Sequence, residues 1–259
     1  MGVDSGLPDF RGPEGFWRAY PPYRAPGLRF EEIADPVHFA ADPELAWGFY
    51  GLRLGLYRAT VPHAGFQALH TWAQHRPTRV FTSNVDGQFQ LAGFAEEQVA
   101  ECHGSIHQLQ CTVDCGQPVW PADGVTVEVD EATMRATSPL PSCPDCGALA
   151  RPNILMFGDT EWIADRTADQ MRAHTTWLRE LRESGARLAV VEIGAGTAIP
   201  TVRREAERAS AASGALVRIN VREPEVRHGR GVGIATPAAA TLLALDERLT
   251  FREPPAFRR

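Results

Sequence analysis

Lysine is absent from all 259 residues: the 26 basic side chains are every one arginine, set against 32 aspartates and glutamates. With a formal charge of −6 there is no positive excess to neutralise a phosphate backbone, which rules out a nucleic-acid-coating surface or basic arm as the default reading. Also missing is any apolar run of roughly 18 residues, the length of a membrane span. The best stretch, residues 188–200, is broken by Glu192 and two glycines. Nothing at the N-terminus pairs a charged segment with an apolar core, as a secretory leader would. The expectation is a cytoplasmic protein with neither membrane nor nucleic acid among its partners. Internal repeats and low-complexity tracts are lacking too, so the architecture must be read from strand and helix signals.

Those signals alternate. Residues 187–193 form an apolar run of strand type that leads into Gly194-Ala195-Gly196-Thr197. Pro200 and the Ala-, Arg- and Glu-rich residues 202–212 predict a helix, and residues 215–220 a second strand. In such a βαβ unit the glycine turn lies at the carboxyl edge of its strand, where small residues and a helix N-terminus accept a phosphate-bearing ligand. Asn220 stands roughly where a dinucleotide fold places its ribose-contacting acid, here replaced by an amide. Residues 78–83 and 98–102 read as two further strands, the first followed by Asn84 and Asp86, the second by His103 and Gly104. Helices are predicted over 43–58, 65–74, 167–183 and 237–248. The fold class is therefore α/β, a Rossmann-like parallel sheet with helices on both faces.

Residues 111–151 break this pattern. Cys111-x3-Cys115 and Cys143-x2-Cys146 are two close pairs among glycine and proline turn formers. In a chain without a secretory signal such pairs favour tetrahedral thiolate coordination of Zn²⁺ over disulfides, and four thiolates leave no position for substrate, so the metal is structural. Cys102 reads as a small buried residue at a strand end. The expected domains are a Rossmann-like body of residues 1–104 and 152–259, with 13–75 as the mainly helical part of a small lobe, and a zinc module of residues 105–151.

Gly2-Val-Asp-Ser-Gly-Leu-Pro-Asp-Phe-Arg-Gly12, followed by Gly15-Phe-Trp-Arg18, resembles the cofactor-loop signature of the sirtuin family of NAD-dependent protein deacylases. Thr82-Ser-Asn-Val-Asp-Gly87, Glu101-Cys-His-Gly-Ser105, the four cysteines, Arg151-Pro-Asn-Ile-Leu-Met-Phe-Gly-Asp159 and Ile219-Asn220 resemble further motifs of that family, in its order. The resemblance implies NAD and structural Zn²⁺ as cofactors and acyl-lysine proteins or peptides as substrates. It implies His103 as general base on a ribose hydroxyl, a role suited to an imidazole that titrates near neutrality. Asn84 and Asp86 would join it in catalysis by holding the nicotinamide and its ribose, although Asn-x-Asp-Gly is also a turn former in its own right. Asp9, Phe10, Arg11, Ser83 and Val85 would line the same pocket. Gly194, Ala195 and Gly196 would lie against phosphate and ribose, Asn220 on the adenine ribose, and Gly233 and Ile234 on adenine. The peptide would add as a strand along Met156, Phe157 and Gly158. Residues 42–53 resemble the helix of the sirtuin class that removes succinyl and malonyl groups, in which a Tyr-x-x-Arg pair binds the distal carboxylate. Tyr50 and Arg53 share a helix face and would form that clamp; the plainer reading is an amphipathic helix with an exposed arginine.

Several departures accompany the match. In the family a strand and Gly-Ala-Gly precede the segment that opens here, so the expectation is a truncated product or a start codon placed too late, with the first strand wanting. Ser83 replaces a glutamine, Gly194-Ala195-Gly196 replaces Gly-Thr-Ser, and Asp159 replaces a glutamate. These mark a divergent branch, for which ADP-ribosyl transfer, NAD hydrolysis or non-catalytic binding of NAD or acyl-lysine are the alternatives to deacylation. The missing lysines fit an arginine bias of GC-rich coding DNA; a lysine-modifying enzyme that has shed reactive lysines is the sharper reading.

Overall fold

The computed structural model describes residues 1–8, 12–24, 27–137, 139–227 and 229–249, with Gly12 and Pro13 described by backbone alone. The first third is helical: α1 (Gly12–Ala19), α2 (Phe30–Ile33), α3 (Val37–Ala41), α4 (Pro43–Ala59) and α5 (Ala64–His75). Next come β1 (Val80–Thr82), α6 (Gln88–Leu91), β2 (Val99–Glu101), β3 (Gly104–Cys111), β4 (Trp120–Pro121), β5 (Val129–Asp130), β6 (Arg135–Ala136) and β7 (Ala150–Ile154). The chain continues with α7 (Asp165–Glu183), β8 (Val190–Ile193), α8 (Thr201–Ser210), β9 (Leu216–Ile219), β10 (Val232–Ile234) and α9 (Ala238–Asp246). Among the described residues no helix is long and apolar enough to cross a membrane.

Helix α4 carries the small lobe. Asp42 caps it by accepting a hydrogen bond from the Leu45 amide, and Pro43 occupies the first helical position, where its missing N–H costs nothing. The helix buries Trp47, Phe49, Tyr50, Leu54 and Tyr57 in one core with Ile106 and Leu109 of β3, Met134, and Ala150 of β7. The Trp47 indole donates to the Ala150 carbonyl at 2.8 Å. Gly48 meets the β5–β6 hairpin so closely that a Cβ there would lie 2.0 Å from the Met134 carbonyl oxygen. Arg135 closes the contact on Asp42 and Glu44. Helices α1 to α4 and the 105–151 insertion thus share a single apolar interior, because neither is large enough to bury its own aromatic side chains, whereas α5, expected in the same lobe, packs on α9.

The parallel strands form two ladders. β1 pairs with β2, and β8, β9 and β10 pair in that order. β1 and β8 are the ladder edges that border a largely apolar cavity of about 540 Å³, lined by Val80 and Phe81 on one side and by Val190, Val191 and Ile193 on the other. His174 of α7 and Glu205 of α8, 3.0 Å apart, are among its polar lining residues. The third sheet is antiparallel, in the order β4-β3-β7, and Cys111 ends its central strand. Strands β3 and β7 lie outside the sequence expectations, since polar residues and turns interrupt their periodicity, whereas the short helices before α4 fall in the segment expected to be mainly helical.

Candidate functional site

Parallel pairing brings the first group of residues together. The β1–β2 register sets Thr82 opposite Glu101, and the Cys102 amide donates to the Thr82 carbonyl at 2.9 Å. Residues 83–86 and 102–103 therefore leave the sheet at one carboxyl edge, where α/β folds bind ligands. The Ile106 amide donates to the Val85 carbonyl at 3.0 Å, which ties the two exits to each other. Gly104, with φ of 74°, makes the turn after His103 possible: a Cβ would sit 2.1 Å from the Asn153 carbonyl oxygen.

His103 itself is half-buried, and its imidazole makes no hydrogen bond to a described residue. Burial holds its pKa below the usual histidine value, so the ring is neutral and able to accept a proton at pH 7. Asn84 is exposed, its amide donating to Thr82 Oγ1. Asp86 is the opposite case, 7% exposed, with Oδ1 accepting from the Gln88 amide at 3.1 Å. Burial pushes its pKa up. A carboxyl whose folded pKa lies above its unfolded value contributes stability that is fully present below the unfolded pKa and is lost as pH rises through the folded one. Asp86→Asn is therefore expected to raise Tm at pH 7 by about 2–4 °C, the effect of removing on the order of 1 kcal/mol of strain. In thermal melts the gain should shrink toward pH 3; an unchanged or lower Tm at pH 7 would contradict it.

The segment expected to meet a peptide runs beside His103, for the Leu155 amide donates to the His103 carbonyl at 3.0 Å. Met156 is buried, Gly158 has φ of 66°, and Phe157 is 37% exposed, its ring edge-on to Phe30 at 6.0 Å. Phe30 continues inward to Arg53, whose Cζ lies 5.7 Å from that ring, 5.0 Å from Phe49, 5.7 Å from Tyr50 and 5.3 Å from Tyr57. Arg53 is only 5% exposed, a guanidinium in an aromatic cage and not the solvated residue of an amphipathic helix. Tyr50 offers it a ring face, whereas the phenol oxygen that binds it belongs to Tyr57, accepting from Nε at 3.0 Å and Nη2 at 2.8 Å. Sequence reasoning missed Tyr57 because positions three and four residues away lie on one helix face, and only side-chain direction separates them. Arg151 and Asp159 form a buried bidentate pair that braces the same segment, with the Met156 amide also donating to Asp159.

The second ladder gathers the expected nucleotide-binding residues. The Gly194 amide donates to the Ile219 carbonyl, and the Asn220 amide to that of Ile234, so the glycine turn, Asn220 and β10 end together. Gly194 has φ of 68°, and Gly233 is pressed so closely on the Pro224 carbonyl that a Cβ would be 2.0 Å away. Asn220 is 3% exposed with both ends of its amide engaged: Nδ2 donates to the Ala195 carbonyl, and Oδ1 accepts from the amides of Arg222 and Glu223. In this structure it staples the turn. The acid absent from position 220 stands three residues on, where the Glu223 carboxylate accepts from the Thr197 amide at 3.0 Å and from the Thr197 hydroxyl. It lies 3.4 Å from where a Cβ on Gly196 would be. A carboxylate against a small-residue turn suits the hydroxyls of a ribose, so these residues fit the adenosine half of a dinucleotide. Asp9, Phe10 and Arg11 lie outside the described residues.

The four cysteine sulfurs lie within 4.8 Å of one another, with Cys111 and Cys146 at 3.6 Å and Cys115 and Cys143 at 3.7 Å. A tetrahedron with Zn–S bonds of about 2.3 Å has edges of about 3.8 Å. Gly116 and Gly147, each following a cysteine with φ near 80°, shape the two knuckles. The cluster fits structural zinc.

Fold and site together define a Rossmann-like α/β protein with a cysteine-stapled small lobe and a histidine at the sheet edge. The Sir2 family profile matches residues 1–177, and the chain belongs to that family. It is 34% identical over 160 residues to an NAD-dependent protein deacylase of Pyrococcus furiosus, covering 61% of this chain and 58% of the relative. It is 32% identical over 177 residues to the mitochondrial NAD-dependent protein deacylase sirtuin-5 of Danio rerio, covering 62% and 54%. The matches thus span less than two thirds of these relatives' length. The crystal structure of a Sir2 homologue in complex with NAD superposes with a TM-score of 0.68 at 26% identity, over 95% of this chain and 84% of that one.

Proposed function

We propose that this chain is an NAD-dependent protein-lysine deacylase that works in the reducing cytoplasm, converting NAD, acyl-lysine and water to nicotinamide, lysine and O-acyl-ADP-ribose. The observation that carries the reading is the β1–β2 register, which sends Asn84, Asp86 and His103 out of one sheet edge beside the segment after β7. Its relatives' names, NAD-dependent protein deacylase among them, support it.

In this reading Ser83, Asn84, Val85 and Asp86 hold the nicotinamide end of NAD, with Asp9, Phe10 and Arg11 in the same pocket. Gly194, Ala195, Gly196, Asn220, Gly233, Ile234 and Glu223 hold the adenosine end. NAD, when bound, supplies a ribose carbon from which nicotinamide can leave. His103 takes the proton of a ribose hydroxyl onto its unengaged ring, which burial keeps neutral. The peptide pairs with backbone along Met156, Phe157 and Gly158, the edge-strand mode that gives affinity through main-chain hydrogen bonds. Arg53, behind Phe30, faces the end of the acyl chain, and a caged cation at that depth favours succinyl and malonyl over acetyl because an ionised carboxylate needs a partner once it leaves water.

The test is nicotinamide release by the purified protein. Release should require an acyl-peptide, and Arg53→Met should lower kcat/KM for a succinyl-peptide by about 100-fold, the scale of a lost buried charge pair. Intact succinyl turnover in that variant would remove the acidic-acyl assignment. Release without any peptide would favour an ADP-ribosyltransferase or NAD hydrolase.

A further inference from the structure

We propose that Arg203 is a positioning residue for the adenosine end of the cofactor: its guanidinium ties the glycine turn after β8 to the loop after β9 and so fixes the width of the crevice between them. The inference rests on the reading above that these two walls hold the adenosine half of NAD.

Residue type and place are at odds here by local rules. Arg203 lies in the first turn of α8, which carries no acid and has Arg204 beside it. A helix N-terminus bears the positive end of its dipole, so a cation there is unfavourable and an acid is the usual occupant. Burial adds to the cost, since the Arg203 side chain is only 12% exposed. Sequences depart from such rules chiefly at functional sites, where another interaction compensates. The compensation lies in what the guanidinium touches. Nη1 donates to the Ala195 carbonyl at 3.3 Å, and Nη2 to the carbonyls of Glu223 at 3.1 Å and Glu225 at 3.4 Å. The Glu223 carboxylate stands 3.7 Å from Nη1 and supplies the opposite charge.

These contacts span both walls. Ala195 belongs to the glycine turn, and its carbonyl also accepts from Asn220 Nδ2 at 2.9 Å. Glu223 and Glu225 belong to the loop after β9, where Arg218, itself held by Glu192, donates to the Glu225 carbonyl too. Thr197 crosses the same gap, but to the Glu223 side chain, whereas Arg203 holds the backbone of that residue. A planar guanidinium presents its donors in a rigid fork and can bridge carbonyls on two sides at set angles. A lysine ammonium is a point charge on a flexible stem and cannot. All three acceptors are main-chain oxygens, so the clasp sets backbone position, and the Glu223 carboxylate is carried on the backbone it sets. Walls fixed in folding need not be ordered when the ligand arrives, which is how preorganisation strengthens a site.

The experiment compares wild type, Arg203→Lys, Arg203→Ala and Arg204→Ala. ADP-ribose is titrated by calorimetry, and kcat, KM for NAD, inhibition by nicotinamide and Tm are measured, the kinetics with an acyl-peptide. Arg204 is exposed, shares the first turn and makes no side-chain hydrogen bond to a described residue, so its removal takes away an equal charge and no clasp. Arg203→Lys keeps the charge and loses the fork. It should weaken ADP-ribose binding about tenfold and raise KM for NAD by the same factor, the scale of hydrogen bonds made by a charged group. Inhibition by nicotinamide and kcat should stay as in wild type, because that corner rests on the β1–β2 ladder. Arg203→Ala should weaken ADP-ribose further, and Arg204→Ala should match wild type. Equal weakening in Arg204→Ala would make charge near the helix end the cause and overturn the proposal. Wild-type ADP-ribose affinity in both Arg203 variants would overturn it as well. So would a fall in kcat, Tm and nicotinamide inhibition together, which marks a general folding role. These outcomes leave the adenosine reading standing, whereas a wild-type protein that binds no ADP-ribose would overturn both.

Discussion

His103→Ala is expected to lower acyl-peptide-dependent nicotinamide release by about a thousandfold, within the range for removal of a positioned general base. Melting should change little, because the imidazole makes no hydrogen bond to a described residue. The pH profile supplies an independent readout. Burial depresses the His103 pKa, so the neutral, proton-accepting ring persists below the usual histidine midpoint of 6.5, and kcat/KM should fall only on acidification beyond it. A limb centred well above 6.5, or a His103→Ala protein with ordinary turnover, would assign the proton transfer elsewhere.

Loss of the metal should have the largest effect on stability. One zinc per chain is expected by atomic absorption, and Cys143→Ala should lose it. Structural zinc sites contribute on the order of 10 kcal/mol of folding free energy, so the variant, or the wild type dialysed against a strong chelator, should melt at least about 10 °C lower. The damage should not stay near the metal. The β5–β6 hairpin seats on Gly48 of α4, and the Trp47 indole bonds the Ala150 carbonyl, so an unravelled module releases the helix that carries Arg53 and Tyr57. Succinyl-peptide binding should therefore fall together with zinc content. A zinc-free protein with the wild-type melt and wild-type binding would show the cysteines to be dispensable.

The asymmetry between the two ladders bears on how the site is held. The β1–β2 exit is braced by the Ile106 and Leu155 amides, and through β3 and β7 by the small-lobe core. The glycine turn after β8 is braced within its own βαβ unit, by Asn220 and by Arg203, which donates to the Ala195 carbonyl. Between the ladders lies the apolar cavity rather than a shared strand among the described residues. The nicotinamide and adenosine ends of the proposed cofactor site thus rest on separately supported edges.

Local rules make a good part of this molecule legible in its chain alone. Strands at residues 80–82, 99–101, 190–193 and 216–219 are read from short apolar runs that end in turn formers, and α4, α5, α7, α8 and α9 from apolar spacing and caps. Chain order then fixes that Asn84, Asp86 and His103 come after strand ends, and cysteine spacing alone implies a tetrahedral metal site. Features that depend on which side chains face one another across the chain arise only in the packed molecule. Packing divided the parallel strands into two ladders, joined helices α1 to α4 and the cysteine insertion in one core, and placed the Glu223 carboxylate against the Thr197 turn. It gave the bond on Arg53 to Tyr57, although Tyr50 lies on the same helix face. The physical reason is range: backbone periodicity is set by neighbours a few residues apart, whereas burial, pKa and the choice between two hydroxyls are set by packing partners tens of residues away.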